Sequence, residues 1–206
     1  MLHGLAGNNL TEGNIVGIEM LGEYGVTTSW SAGAGLQSYG DGNFAFTLTS
    51  TNRLPGDWSG LFASWRLLGR VFPQWDAGMI ATMVEAGMDG KHWCVALGFT
   101  NIISGPAQML NFSQGVDYLT EPFNLMYKVG YHTGVGKRSV LSGRVSNYDD
   151  FLVEVAYQPL FTVAWNYVLN DRLSMDCRLR VHPTGLLSLS ANYYEIMLIV
   201  GVKWVW

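Results

Sequence analysis

The sequence is poor in charged residues. Only 14% of its 206 residues are Asp, Glu, Lys or Arg, whereas an ordinary soluble domain contains about 25%. Disordered chains need high charge and few aromatic residues, and this chain has 8 Trp, 10 Tyr and 9 Phe, so disorder is excluded. Its net charge of −4 offers no basic surface of the kind that binds nucleic acid. We therefore expect no nucleic-acid partner.

Cysteine, proline and long apolar runs are also scarce. Two cysteines, Cys94 and Cys177, cannot form a disulfide framework. With 6 prolines beside 25 glycines, the chain is neither collagen-like nor a proline-rich linker. No stretch reaches the roughly 18 consecutive apolar residues of a transmembrane helix. The first residues lack the basic and apolar regions of a secretory signal peptide, and we expect none in this chain.

What the sequence does contain is an alternation of apolar and polar residues with a period of two. The clearest run places Leu173, Met175, Cys177, Leu179 and Val181 on one face and Ser174, Asp176, Arg178 and Arg180 on the other. Such alternation is typical of β-strands, and no segment of about ten or more residues has a helical period. The chain is therefore predicted to be all-β, a single antiparallel up-and-down barrel of about 14 strands with short turns. Residues 1–13 are predicted to be a short N-terminal extension and residues 14–206 the barrel.

The composition of the polar face separates a soluble barrel from a transmembrane one. A soluble barrel turns this face to water, and the face should then be rich in Lys and Glu. Here it is mainly Ser, Thr, Asn, Gly, Gln and Ala, which suit a hydrated lumen, while aromatic residues at strand ends, such as Tyr131 and Tyr167, are typical of interfacial girdles. We predict a transmembrane β-barrel whose partner is the lipid bilayer. A soluble β-protein, or a β subunit within a larger complex, is the alternative.

The C-terminal segment resembles the sorting signals of outer-membrane barrels. The mitochondrial signal reads polar-x-Gly-x-x-hydrophobic-x-hydrophobic, and Gly201, Trp204 and Trp206 fill three of its positions, although Ile199 stands where a polar residue is expected. The bacterial signal, an aromatic last residue after alternating apolar residues, is matched as well. Short turns and the lack of a signal peptide favour the mitochondrial version, because bacterial barrels usually have longer loops on one side.

The order of features between about residues 125 and 195 carries a family resemblance. Tyr131-His132 ends a strand, residues 140–145 follow, a turn lies at 147–151, and strands come at 153–155, 165–169 and 173–181. This order resembles the pore subunit of the translocase of the outer mitochondrial membrane, a member of the eukaryotic porin superfamily. In two respects the sequence departs from that family. Members have about 19 strands, whereas about 14 are predicted here. Members also thread an N-terminal helical segment through the pore, whereas only about 13 residues precede the predicted barrel.

The resemblance implies a channel of the mitochondrial outer membrane, for protein import or for porin-type passive transport. Its expected partners are translocase subunits or other subunits of a membrane complex, with unfolded polypeptide or small polar solutes in the lumen. Two alternatives stay open. One is a non-conducting structural or accessory barrel with a filled lumen, and the other is a barrel of the bacterial outer membrane.

Charged residues on the polar face are the candidate functional residues. Those predicted to face the lumen are Arg66, Lys128, His132, Arg144, Glu154, Asp176, Arg178 and Arg180. Such charges bias the passage of ions along a hydrated wall, and the excess of arginine favours anions.

Signals of catalysis are missing from the sequence. The four histidines lack metal-ligand spacing, no G-x-S-x-G elbow occurs, and no glycine-rich phosphate loop precedes a helix. Inward acids such as Glu19 are better explained by pairing with the arginines. We therefore expect no metal, no cofactor and no enzymatic activity.

Overall fold

The computed structural model describes residues 2–9, 13–39, 42–56, 60–73, 77–106, 119–148, 159–183 and 193–204, and these contain twelve β-strands. The strands are β1 Leu2–Asn9, β2 Gly13–Gly25, β3 Trp30–Tyr39, β4 Phe44–Arg53, β5 Leu61–Phe72, β6 Ala77–Asp89, β7 Trp93–Pro106, β8 Leu119–Val135, β9 Ser139–Ser146, β10 Leu160–Asn170, β11 Leu173–Pro183 and β12 Tyr193–Trp204. Each pairs antiparallel with its neighbours in chain order, and β1 also pairs with β12, which closes the sheet into a barrel. The predicted all-β, antiparallel up-and-down architecture is confirmed.

The number of strands differs from the prediction. The described part of the chain has twelve strands, fewer than the predicted number of about 14. Several strands are longer than the 9–11 or so residues that suffice to cross a membrane: β6 has 13 residues, β7 has 14 and β8 has 17. Longer strands divide the same chain into fewer crossings. An even number also lets the last strand run antiparallel to the first.

Residues 1–13 were predicted to be a short extension outside the barrel, but most of them form a strand of its wall. This strand, β1, pairs with β2 from Leu2 opposite Met20 to Asn9 opposite Gly13, and with β12 on its other side. Leu2 and Leu5 lie an odd number of residues apart, and Gly4 and Gly7 add no side chain, so the period of two is not visible in this segment. Without β1 the barrel would have no element joining β2 to β12.

The two rims of the barrel carry connections of different length. One rim, here the near rim, holds the connections 26–29, 54–60, 90–92, 136–138 and 171–172, and β12 ends there. Gly136, with φ of 73°, begins the tight turn between β8 and β9. At the other, far rim, 12 residues separate β7 from β8, 13 separate β9 from β10 and 9 separate β11 from β12, and most of these lie outside the described residues. The expectation of uniformly short turns is therefore wrong, and longer connections on one side are typical of bacterial barrels.

Side chains alternate between the outer surface and the lumen along each strand. On β7, Trp93, Val95, Leu97 and Phe99 are exposed outside, while Cys94, Ala96, Gly98 and Thr100 between them are buried or half-buried. The run on β11 behaves as predicted, with Met175 and Leu179 exposed and Asp176 and Arg180 buried. The outer surface is thus apolar and the inner one mixed. Within the described residues, no helix is long and apolar enough to cross a membrane.

Candidate functional site: the lumen

The interior cations come from strands on opposite sides of the barrel. Counted between the rims and among described side chains, they are Arg66 and Arg70 on β5, Lys128 on β8, Arg144 on β9, and Arg178 and Arg180 on β11. The matching acids are Glu19 on β2, Glu85 on β6 and Asp176 on β11. Among these described side chains, cations therefore outnumber acids by six to three, which gives this part of the lumen a positive field. Of the predicted lumen residues, Glu154 lies outside the described residues.

The two larger cavities found among the described lumen residues share part of their walls. The one nearer the near rim has a volume of about 170 Å³ and is lined by residues that include Arg53, Ser64, Asp89 and Lys128. The second, of about 210 Å³, is lined by residues that include Glu19, Gln37, Thr47 and Arg178. Both are lined by Thr49 and Arg66. These two neighbouring side chains, paired across β4 and β5, stand where one cavity meets the other.

Lys128 is held in a well-defined environment. Its Nζ lies 3.5 Å from a carboxylate oxygen of Glu85, 5.8 Å from the centre of the Phe62 ring and 5.6 Å from that of Tyr148. An ammonium group over aromatic faces gains cation–π stabilisation in addition to its ion pair. The charge of Lys128 is thus largely compensated locally.

Tyr148 enters the lumen from the connection that follows β9. Its side chain is 2% exposed, and its hydroxyl donates a hydrogen bond to Glu85. Asn147 fixes the turn, since its amide group donates to Leu125 O at 2.7 Å and accepts from Tyr127 N–H at 2.8 Å. In this way Asn147 continues the β8–β9 ladder with its side chain while the backbone turns inward. Nothing in the sequence pattern marks Tyr148 as a lumen residue, because it lies beyond the end of a strand.

An apolar cluster occupies one side of the lumen. It consists of Ala45, Leu68, Ala81, Met83, Met126 and Tyr148, with Met79 and Ile102 packed against it. The polar face was predicted to line a hydrated lumen, with a filled lumen as the alternative. On β4 to β8 the inward side chains instead bury one another. Sequence reasoning missed it because Met and Ala on the inward positions look like interruptions of the alternation.

On β11 the structure brings two predicted lumen residues together. Arg178 forms an ion pair with Asp176, and the two side chains are largely buried. They lie two residues apart on one strand and therefore project from the same face. Arg180, two residues further on, is 3% exposed. The register places it beside Thr162 of β10, which in turn pairs with Arg144 of β9.

His132 has a neighbouring histidine in the structure, although the four histidines are far apart in the sequence. It lies next to His92, with ring centres 6.4 Å apart, and His92 Nδ1 is 3.2 Å from the carbonyl oxygen of His132. The His92 ring also stacks near Tyr131, which meets Trp93 edge-on at 4.8 Å. This aromatic group lies at the near rim. It fits the interfacial girdle expected of a membrane barrel.

The residues of the C-terminal sorting-like signal lie on both faces of β12. Gly201 is buried and pairs with Asp176 of β11, whereas Trp204 is exposed on the outer surface at the near rim. Trp206 lies outside the described residues.

Comparison with known proteins identifies the fold. No protein-family model and no curated protein matches the sequence. The chain is similar in structure to the NanC porin, with a TM-score of 0.62 and 7% identity over 100% of each chain. It is also similar to the KdgM porin, with a TM-score of 0.60 and 7% identity over 100% of this chain and 98% of that one. Outer membrane phospholipase A from Escherichia coli gives a TM-score of 0.54 and 11% identity over 99% of this chain and 95% of that one. At such identities the similarity establishes a shared barrel fold.

These comparisons correct the predicted family. The similar structures are bacterial outer-membrane barrels and not a mitochondrial translocase pore, so the resemblance to that pore subunit is wrong. The barrel itself agrees with the correction, because an even number of antiparallel strands and longer connections at one rim are the bacterial pattern. The resemblance rested on small and apolar positions, which any barrel wall repeats. The chain has the fold of bacterial outer-membrane β-barrels.

Proposed function

We propose that this protein is a passive channel of the bacterial outer membrane that favours anions. The observation that carries the proposal is the unequal charge of the lumen side chains that the structure describes. These comprise six cations and three acids: Arg66, Arg70, Lys128, Arg144, Arg178 and Arg180 against Glu19, Glu85 and Asp176. A narrow, positively charged passage with low-dielectric walls concentrates anions. The apolar outer surface and the aromatic group at the near rim support a position in the lipid bilayer.

The cavities give the passage its course. Solutes would enter at the near rim beside Arg53 and Asp89, which form an ion pair of 2.9 Å, and then meet Arg66 and Thr49 before reaching Gln37 and the second cavity. Hydroxyl and amide groups along this course can replace part of a solute's hydration without binding it tightly.

The proposal treats the ionisable side chains as wall charges and not as catalysts. Lys128, Arg178 and Arg53 each form an ion pair with a carboxylate. Paired groups of this kind hold a barrel wall together and tune its field. We therefore propose no enzymatic role, although one structure of similar fold is a phospholipase.

Ion selectivity in planar bilayers tests the proposed function. With purified protein and a tenfold potassium chloride gradient across the membrane, the reversal potential is expected to have the sign of chloride permeation. The preference should weaken as salt rises, since the Debye length falls from about 10 Å at 0.1 M to about 3 Å at 1 M. Absence of conductance from the folded barrel, or a preference for potassium, would contradict the proposal.

A second candidate function, a non-conducting scaffold, is favoured by the apolar cluster. Tyr148, Met83 and Met126 bury one another inside the barrel, so the lumen is partly filled by the wall's own side chains. If the filling blocked all passage, the barrel would serve as a structural subunit. The protein can act as a channel only if the cavities beside Arg66 are connected to both rims.

Replacing Tyr148 by alanine tests whether this side chain restricts the passage. Removing the ring leaves space beside Glu85 and Met126, so single-channel conductance should rise if Tyr148 narrows an open passage. Tyr148→Phe keeps the ring and removes only the hydroxyl that bonds Glu85, and it serves as the matched control with near wild-type conductance. Unchanged conductance in a folded Tyr148→Ala barrel would show that this side chain does not narrow the passage. Loss of a large buried ring costs roughly 3–5 kcal/mol, so folding is checked by electrophoretic mobility before and after heating.

A further inference from the structure

We infer that the lumen contains an oxyanion-binding site on β9, β10 and β11, formed by Arg144, Thr162 and Arg180. The site deepens the proposed function, and it rests on that function for the route by which an anion reaches it. Its ligand class is a small anion with several oxygens, such as phosphate.

Strand register places the three residues in one row across the wall. Thr162 is the direct partner of Arg144 on one side and of Arg180 on the other. Adjacent strands are about 4.8 Å apart, so the two arginine Cα atoms stand roughly 10 Å apart with the threonine between them. All three residues occupy inward positions of their strands. Nη2 of Arg180 donates a hydrogen bond to Met197 Sδ at 3.5 Å on the β12 side, and an anion would draw its guanidinium towards Thr162.

The hydroxyl of Thr162 provides the second observation. The residue is 7% exposed, its Oγ1 is buried, and it makes no hydrogen bond within the part of the chain that the structure describes. A buried hydroxyl without a partner is costly, and in native structures it calls for an explanation. Since Oγ1 can donate a hydrogen bond, an anion held between the two arginines would satisfy it.

Another threonine shows that a buried hydroxyl alone does not make such a site. Thr100 of β7 is 1% exposed and its Oγ1 likewise makes no hydrogen bond among the described residues. Its partners in register are Met83 and Asn124, so no cation stands next to it. Thr162 differs from Thr100 because its buried hydroxyl has an arginine on each neighbouring strand.

The donor set defines the ligand. Guanidinium groups present parallel N–H donors that match the oxygens of phosphate, sulfate or carboxylate in pairs, and the threonine adds a third direction of hydrogen bonding. A spherical anion such as chloride can use only the charge. The site would therefore retain oxyanions longer than chloride as they pass through the lumen.

Phosphate binding by the folded barrel tests the site without any current measurement. Purified protein in detergent is titrated with inorganic phosphate at constant ionic strength, with chloride as the replaced ion, and the midpoint of thermal unfolding is followed by tryptophan fluorescence. Phosphate should raise the midpoint of the wild type and of Thr162→Ser, which keeps the hydroxyl. Thr162→Val should bind phosphate about tenfold more weakly, as expected for the loss of one hydrogen bond to a charged group. Arg144→Gln, a second variant, should bind at least as weakly as Thr162→Val.

Thr100→Val is the matched control, because it removes an equally buried hydroxyl that has no arginine beside it, and its phosphate affinity should equal that of the wild type. Equal affinity of Thr162→Val and wild type, or equal loss in Thr100→Val, would overturn the site. Phosphate binding that depends on Thr162 in a barrel without conductance would leave the site standing and refute the channel. Anion-selective conductance without stabilisation by phosphate would support the channel and refute the site.

Discussion

Replacing Arg66 by glutamate is expected to turn the barrel from anion-selective to cation-selective. Arg66 lines both lumenal cavities, together with Thr49, so an ion passing between them comes close to its charge. The substitution changes the local charge by two units. At about 8 Å and an effective dielectric constant of about 20–80, each unit is worth about 0.5–2 kcal/mol. The ratio of chloride to potassium permeability should therefore fall at least about fivefold.

The matched control for this change is Arg53→Glu. Arg53 is also a lumen-lining arginine, but it lies at the near rim, is more exposed to solvent and forms an ion pair with Asp89. Because water and salt screen an exposed charge, its replacement should alter the reversal potential much less. A folded Arg66→Glu barrel that conducts with wild-type selectivity would show that ions do not pass between the two cavities.

Much of the fold follows from the period-two pattern, and β11 shows why. Its apolar and polar residues alternate without interruption, so Leu179 could be assigned to the outer surface and Arg180 to the lumen from the sequence alone. The assignment is robust because a strand permits only two faces. On β1, where glycines break the alternation, the same reasoning left a strand unrecognised.

The period-two pattern does not predict which side chains on different strands contact each other. The pairing of Lys128 with Glu85 depends on strand order and on the inward turn of the chain after Ser146, neither of which periodicity specifies. Arg70 is different, because it lies four residues from Arg66 on one strand and an even spacing predicts the same face. That signal was present in the sequence and was not used.

The origin of the barrel could not be read from its C-terminal segment. Both kinds of sorting signal consist largely of alternating apolar residues, which the membrane wall requires in any case. Gly201 fits the mitochondrial signal, but its position opposite Asp176 gives it a structural explanation. An even number of strands and longer connections at one rim are features of the bacterial barrel fold, and both become visible only once the strands are paired.

The position of the barrel in the membrane is tested by a substitution of Leu179 on the outer surface. Leu179 is 45% exposed, and its register partners Val163 and Leu198 are also exposed apolar residues. If lipid covers this row, arginine at position 179 places a charge in hydrocarbon near the middle of β11. The free energy of unfolding in lipid vesicles should fall by about 2–4 kcal/mol, the cost measured for arginine near the midplane of membrane barrels.

Val135→Arg is the matched control for Leu179→Arg. Val135 is 52% exposed and ends β8 at the near rim, where a long cationic side chain can reach the headgroups. Its replacement should cost only about 0–1 kcal/mol. Reversible unfolding by guanidinium chloride in vesicles of a single phosphatidylcholine measures both variants under one condition. Equal small costs at the two positions would mean that water, and not lipid, covers Leu179, and the membrane position of the barrel would then be refuted.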